Sequence, residues 1–215
     1  MSLQIVDLKS AGVNALSEQK SPVSRRTYQK AKRAEDEWRT RERIVDAAEH
    51  LHRTIGPART TVSAVAGRAG VTRATVYRHF ADEESLFLAC SRHWLSRQQL
   101  PEPDAWGLIE DPIERLRVGL MDIYGYYLRG EQMMANIHRD VDVVPAVVVA
   151  ARRSREQLWL DTLLAPQRHR RRKAVRAAVA HATAFSTWHS LCRAQDLSDR
   201  SAVDLMVGMV EHVSR

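Results

Sequence analysis

The chain has 215 residues and a formal net charge of +7, a length that allows one or two domains and no long repeat array. Hydrophobic residues make up 44% and charged residues 27%, enough apolar surface to bury a core, which excludes wholesale disorder. The charge is unevenly placed: residues 39–80 hold eight arginines against Glu42, Asp46 and Glu49, and beyond residue 80 the basic and acidic side chains balance. An arginine excess confined to one short segment points to a polyanion-binding module, nucleic acid ahead of a membrane surface. The longest uncharged apolar run, Val143 to Ala151, is broken by Pro145 and falls far short of the ~18 residues a spanning helix needs. No secretory signal pattern opens the chain, so a cytoplasmic protein is expected. Cys90 and Cys192 are too few for a disulfide framework or a thiolate zinc site and read as core thiols.

In chain order, residues 1–37 show no sustained period and Ser21-Pro22 interrupts them, so they are expected to be a flexible basic arm. From Trp38 the pattern changes. Ile44, Ala47, Ala48 and Leu51 fall at i, i+3, i+4 and i+7, the stripe of an amphipathic helix that Gly56-Pro57 stops. Thr61 is placed to cap a short helix, Val62 to Ala69, before Gly70, and Thr72 to cap another, Arg73 to His79. Asp82 caps a longer helix running to about Arg97, which closes a domain over residues 38–98. Pro101 and Pro103 mark a boundary, and residues 106–215 form a second helical domain. Within it Asp111-Pro112 starts a helix whose stripe Ile113, Leu116, Leu120, Ile123 and Tyr127 predicts an end at Arg129. Glu131 to Asp140 is a further segment, a helix follows Pro145 to about Leu164, and the basic run Arg168 to Lys173 leads to an apolar stripe through Val175, Val179, Phe185 and Leu191. Ser198 caps a last helix bearing Val203, Met206, Val207 and Val210. With no alternating strand pattern and no glycine-rich phosphate loop, the fold class is all-α.

The segment Thr61 to Phe80 carries the functional information. Two short helices that cross steeply need a small residue where they touch, a residue tolerant of positive φ in the turn, and apolar plugs beside it. Ala66, Gly70, Val71 and Val76 supply these. The second helix then projects Thr72, Arg73, Thr75, Tyr77 and Arg78, all hydrogen-bond donors and none acidic, toward a major groove ~12 Å wide.

Residues ~39 to 97 resemble the N-terminal domain of the tetracycline-repressor (TetR, AcrR-like) family of bacterial regulators. The resemblance rests on Arg43-Ile-Val-Asp-Ala-Ala-Glu-His-Leu51, Gly56, Thr60-Thr61-Val62, Ala66, Ala69-Gly70-Val71-Thr72, Val76-Tyr77-Arg78-His79-Phe80 and Leu86. It implies a helix-turn-helix DNA-binding domain followed by a helical ligand-binding and dimerisation bundle, in a homodimeric repressor of a palindromic double-stranded operator. Carried over residue by residue, it implies phosphate contacts from Thr61, Thr72, Tyr77 and His79, and base reading by Arg73 with Thr75 touching a thymine methyl. Ala74 and Arg78 belong to the same DNA-facing helix, Arg78 reading equally as a solvated arginine. Arg41, Arg25 and Arg26 are expected to add minor-groove or phosphate contacts. One departure is Asp82-Glu83-Glu84, where related sequences often carry a lysine beside the DNA backbone: acids there suit a helix N-terminus but repel phosphate.

A small-molecule effector is the partner implied for the C-terminal half, with Tyr124, Tyr127, Met134, His138, Trp159, Phe185 and His189 as pocket candidates, most of which read equally as core. Phe185, Trp188, Val203, Met206, Val207 and Val210 are more apolar positions than one bundle face needs, and pairing them across a two-fold axis predicts a four-helix dimer interface. His189 and Cys192 are two potential ligands and do not make a metal site. No nucleophile stands in a motif with a base, and neither cofactor nor catalysis is expected. The alternatives are a helix-turn-helix protein without ligand response, or an all-helical small-molecule enzyme with an incidental basic half.

Overall fold

The structure, a computed structural model, describes residues 22–165 and 172–215. The described residues are helical, with no strand among them. By its internal contacts the chain divides into two units, Met1–Thr40 and Arg41–Arg215.

The helix α1 (Pro22–Thr54) starts well before Trp38, so the described part of the expected flexible arm is helical. Its residues 27–39 are all exposed. Lys, Arg, Gln, Glu and Ala form helix without a buried face, and Glu35 pairs with Arg39 one turn on. Apolar periodicity cannot register such a helix. Residues 1–21, and the side chains of Arg25 and Arg26, lie outside the description.

In the second unit, the last turns of α1 join α2 (Val62–Ala69), α3 (Arg73–His79) and α4 (Glu83–Ser96) around a core of Ile44, Ala48, Val65, Ala66, Val76, Phe80, Leu86 and Cys90. A 3-10 turn, Pro57–Arg59, follows Gly56. A second core is built by α5 (Pro103–Gly107), α6 (Pro112–Arg139), α7 (Ala146–Leu164), α8 (Arg172–Ala182), α9 (Phe185–His189) and α10 (Asp199–Ser214). The caps expected at Asp82, Asp111 and Ser198 all form, Asp82 as a capping box with Ser85. Burial pushes the Cys90 thiol up to about 12, as befits a core cysteine.

Four features of the second unit depart from the sequence reading. Helix α6 continues through Gly130 to Arg139 rather than ending at Arg129. Gly130 is buried, and a Cβ there would come within 2.9 Å of the Trp94 ring, so this glycine serves close packing and not termination. The proline-marked boundary holds α5, whose Trp106 is 1% exposed and donates from Nε1 to Asp122. The stripe through Val175 and Leu191 is interrupted: α8 ends near Ala182, where Tyr124 and Tyr127 hydroxyls donate to the carbonyls of Ala182 and Thr183 at 2.9 and 2.6 Å. A π turn, Ser190–Ala194, then follows α9. Of the basic run Arg168 to Lys173, residues 168–171 lie outside the description.

The fourth departure concerns the expected interface. Phe185, Trp188, Val203, Met206, Val207 and Val210 are all buried in the chain's own second core, Trp188 completely, with its indole N–H on Asp199. The apolar excess is absorbed because α6 and α8 pack on α10 and the rings of α9 join the same core. The outward faces of α8 and α10 carry Ala174, Ala177, Leu205 and Gly208 among charged side chains such as Arg176 and Asp204.

Candidate functional site

The α2–turn–α3 unit is fixed by local chemistry. Thr61 caps α2 by accepting from Ala64 N at 3.1 Å. Gly70 closes it in the left-handed region at φ 66°, and Val71 N returns to Ala66 O at 3.0 Å. Thr72 caps α3 by accepting from Thr75 N at 3.2 Å, while the two threonine hydroxyls lie 3.0 Å apart. With Val76 and Phe80 anchored in the core, Thr72, Arg73, Ala74, Tyr77 and Arg78 are exposed and Thr75 and His79 half-buried. Tyr77 is 42% exposed, an aromatic on a solvent-facing turn whose inward neighbour, Val76, is 1% exposed. Arg73 with Tyr77, and Ala74 with Arg78, are one turn apart on the outward surface. The structure thus brings together every α3 residue singled out in the sequence.

Arg41 is engaged within the chain. Its Nη1 donates to His79 O at 3.0 Å and its guanidinium lies 4.1 Å from the centroid of the Phe80 ring. It therefore closes the C-terminal end of α3 and stacks on the core residue that ends it, which orients the helix. No local pattern announces a contact spanning 38 residues. On the other side of the unit His93 Nε2 lies 2.9 Å from Asp46, with Arg97 at 3.8 Å from both Asp46 and Glu49, tying α4 to α1 by charge.

A cavity of about 280 Å³ opens between the end of α1, α4, α6 and α7. Of the expected pocket residues Tyr127, Met134, His138 and Trp159 line it, and Tyr124, Phe185 and His189 do not. Tyr124 is fully buried against α8, Phe185 packs in a ring cluster with Tyr127 and His138 at 5.4 and 4.7 Å, and His189 is exposed. The sequence reading missed Phe87 and Trp94 of α4 and the charged trio Arg152, Arg155 and Glu156 of α7. A signal existed: Val147, Ala151, Arg155 and Trp159 recur every four residues and share one face, so the arginine sits in an otherwise apolar stripe. Burial lowers the pKa of His138, lowers that of His52 to about 4, and raises that of Glu156 against the pull of Arg152 and Arg155. Both histidines are therefore neutral at pH 7.

The C-terminal end of α6 joins this cavity to the helix-turn-helix. Met133, Met134 and Ile137 face the cavity. Asn136 donates from Nδ2 to His52 O and Arg53 O at 3.1 and 2.7 Å, closing the last turn of α1. Arg139 donates to Ile55 O at 3.1 Å, and Asp140 accepts from Ala58 N, in the turn that leads to α2, at 3.1 Å.

A capped helix-turn-helix with a basic, exposed second helix defines a DNA-binding protein of the transcription-regulator class. Residues 44–90 match the family model of bacterial regulatory proteins, tetR family. That match lies over the helix-turn-helix and the helices that flank it. No curated protein matches the sequence. Among solved structures, the fold is similar to a TetR-like transcriptional regulator from Rhodococcus sp. RHA1, with TM-score 0.57 and 19% identity over 80% of this chain and 94% of that one. It is also similar to NalD of Pseudomonas aeruginosa, the secondary repressor of the MexAB-OprM multidrug efflux pump, with TM-score 0.55 and 20% identity over 83% and 97%. A tetR-family regulator from Streptomyces coelicolor gives TM-score 0.52 and 17% identity over 80% and 81%.

Proposed function

We propose that the chain is a homodimeric repressor that places two copies of α3 in successive major grooves of a palindromic operator and releases it when a small molecule fills the cavity. The observation that carries this reading is the continuity of α6, one helix whose residues line the cavity and, within the same two turns, bond to the end of α1 and the turn before α2. A ligand that moves α6 or α4 displaces the helix-turn-helix, and because half-sites lie about one helical turn apart, ~34 to 36 Å, a small change in spacing lowers affinity. Base reading falls to Arg73, phosphate contact to Thr61, Thr72, Tyr77, Arg78 and His79, and Thr75 presents its methyl while its hydroxyl engages Thr72. Dimerisation is assigned to the outward faces of α8 and α10, where small side chains permit close helix approach.

The test is fluorescence anisotropy of the purified protein on its own upstream intergenic DNA at 50 and 200 mM salt. With ~6 to 10 phosphate contacts, affinity falls by ~10³ to 10⁵ between these conditions. Weak binding that ignores both salt and DNA sequence would reject the regulator reading. DNA binding that no cavity-filling compound reverses would reject ligand response alone.

A further inference from the structure

Within the reading of the cavity as an effector site, its side chains point to a ligand of definite charge. The walls are apolar, with Phe87, Trp94, Tyr126 and Trp159 contributing rings. Into this apolar space α7 brings Arg152 and Arg155. Among the described residues, Nε and Nη1 of Arg152 and Nε of Arg155 are buried with no hydrogen-bond partner, while the Arg155 guanidinium also engages the Tyr126 side chain. Glu156 Oε1 is 3.6 Å from Arg152 Nε, an ion pair too long for a hydrogen bond, and Arg155 leans toward the Trp159 ring, 5.9 Å from its centroid. Guanidinium donors without acceptors are unfavourable and rare in finished cores, so two arginines that line one apolar cavity and keep unmatched donors suit an acceptor that arrives from outside. Arg92 adds a further positive charge at the lining, Glu156 is the single acid there among the described residues, and His52 and His138 are uncharged at neutral pH. The fixed charge of the cavity is therefore positive. A cationic ligand would meet only a carboxylate already facing Arg152.

We propose that the effector is an organic acid, a carboxylate monoanion with an apolar body, held by Arg152 and Arg155 with its hydrocarbon part among Phe87, Trp94 and Trp159. The planar guanidinium fork donates two parallel hydrogen bonds to a carboxylate, which fixes the orientation of the acid group and leaves the body to be selected by shape. The cavity volume of about 280 Å³ sets the size. A ~150 Å³ cavity accommodates benzene, so roughly a dozen non-hydrogen atoms fit. Water is displaced from apolar walls at one end while the arginine donors are satisfied at the other, so neither half of such a ligand binds well without the other.

Two matched trios of that size test the assignment: decanoate, decanamide and decylammonium, and 4-phenylbutyrate with its amide and amine. Binding to the full chain is read by quenching of tryptophan fluorescence, since Trp94 and Trp159 line the cavity, and independently by shift in melting temperature. At least one acid should bind about tenfold or more tightly than its own amide, with the amine weakest, as expected for a charge-assisted hydrogen bond in a water-poor site. Arg155→Met should erase the preference for acid over amide while the amide still binds, and Arg155→Lys should retain part of it. The wild-type comparison stands by itself if a variant fails to fold. Equal or tighter binding of an amide or amine would overturn the acid assignment and leave the cavity as an effector site. Binding of none of the six, with unchanged melting temperature, would overturn both.

Discussion

Arg73 occupies the first position of α3, exposed, with the capping Thr72 before it and no acid on the helix. A guanidinium fork can donate two hydrogen bonds to guanine O6 and N7. Arg73→Ala is expected to weaken operator binding by ~1 to 3 kcal/mol and to relax discrimination at one base position, measured by anisotropy on operator variants. An unchanged preference among the variants would move base reading to another side chain. His52 makes a different kind of prediction. It is 6% exposed, packs at a tilt on Phe87 at 4.6 Å between ring centroids, and sits 3.5 Å from Cys90 Sγ, and burial depresses its pKa from 6.5 to about 4. The unfolded chain therefore binds a proton on this ring before the folded chain does. Its contribution is present in full above pH 6.5 and is lost as pH falls toward 4, by up to about 3 kcal/mol. Denaturant titrations at pH 7 and 4.5 should show His52→Gln losing less stability than the parent chain by about 2 kcal/mol, and equal losses would contradict the assignment.

Among the elements, α6 reaches from the cavity to the end of α1 because it is uninterrupted. Its Asn136, Arg139 and Asp140 hold the segment from His52 to Ala58, and Gly56 lies directly beneath them at φ 91°. A side chain at Gly56 would be strained by that backbone, and its Cβ would collide with the Arg139 guanidinium and the Asp140 carboxylate. Gly56→Ala should lower stability by about 1 to 3 kcal/mol, read by thermal melting. It should also weaken the effect of ligand on DNA release more than the effect of either alone, which a titration of DNA affinity with and without ligand would reveal. The presence of α6 as a helix was legible, since Ile113, Leu116, Leu120, Ile123 and Tyr127 form its stripe. Its length was not, because Gly130 reads as a stop unless Trp94, 36 positions earlier, is known to lie against it.

For the whole molecule, the burial of Val207 and Trp188 changes what substitutions there do. Val207→Arg or Trp188→Arg places an unpaired charge in the core of one chain, so loss of the fold is expected, with a melting temperature lowered beyond measurement or insoluble protein. Leu205→Arg, on the outward face of α10 at 50% exposure, should leave each chain folded and give monomers by light scattering. Folded monomers from Val207→Arg would restore the interface drawn from sequence. The described residues include no helix long and apolar enough to cross a membrane. The positive charge concentrated in residues 39–80 lies in the segment that ends with α3, consistent with steep salt dependence of DNA binding.

The amino-acid sequence by itself determined the helix-turn-helix. Thr61, Gly70, Thr72 and Asp82 act on backbone groups two to four residues away, and interactions of that range are written in local order. It likewise determined the all-helical class, through apolar residues spaced at a helical period. Only the tertiary structure decided that Arg41 closes α3, that four of seven pocket candidates meet Arg152 and Arg155 around one cavity, and that the apolar side chains of α9 and α10 face inward. An apolar stripe requires that something cover it but carries no record of whether the cover is the same chain or a second copy. That is settled by which helices reach it, a matter of contacts separated by tens of residues.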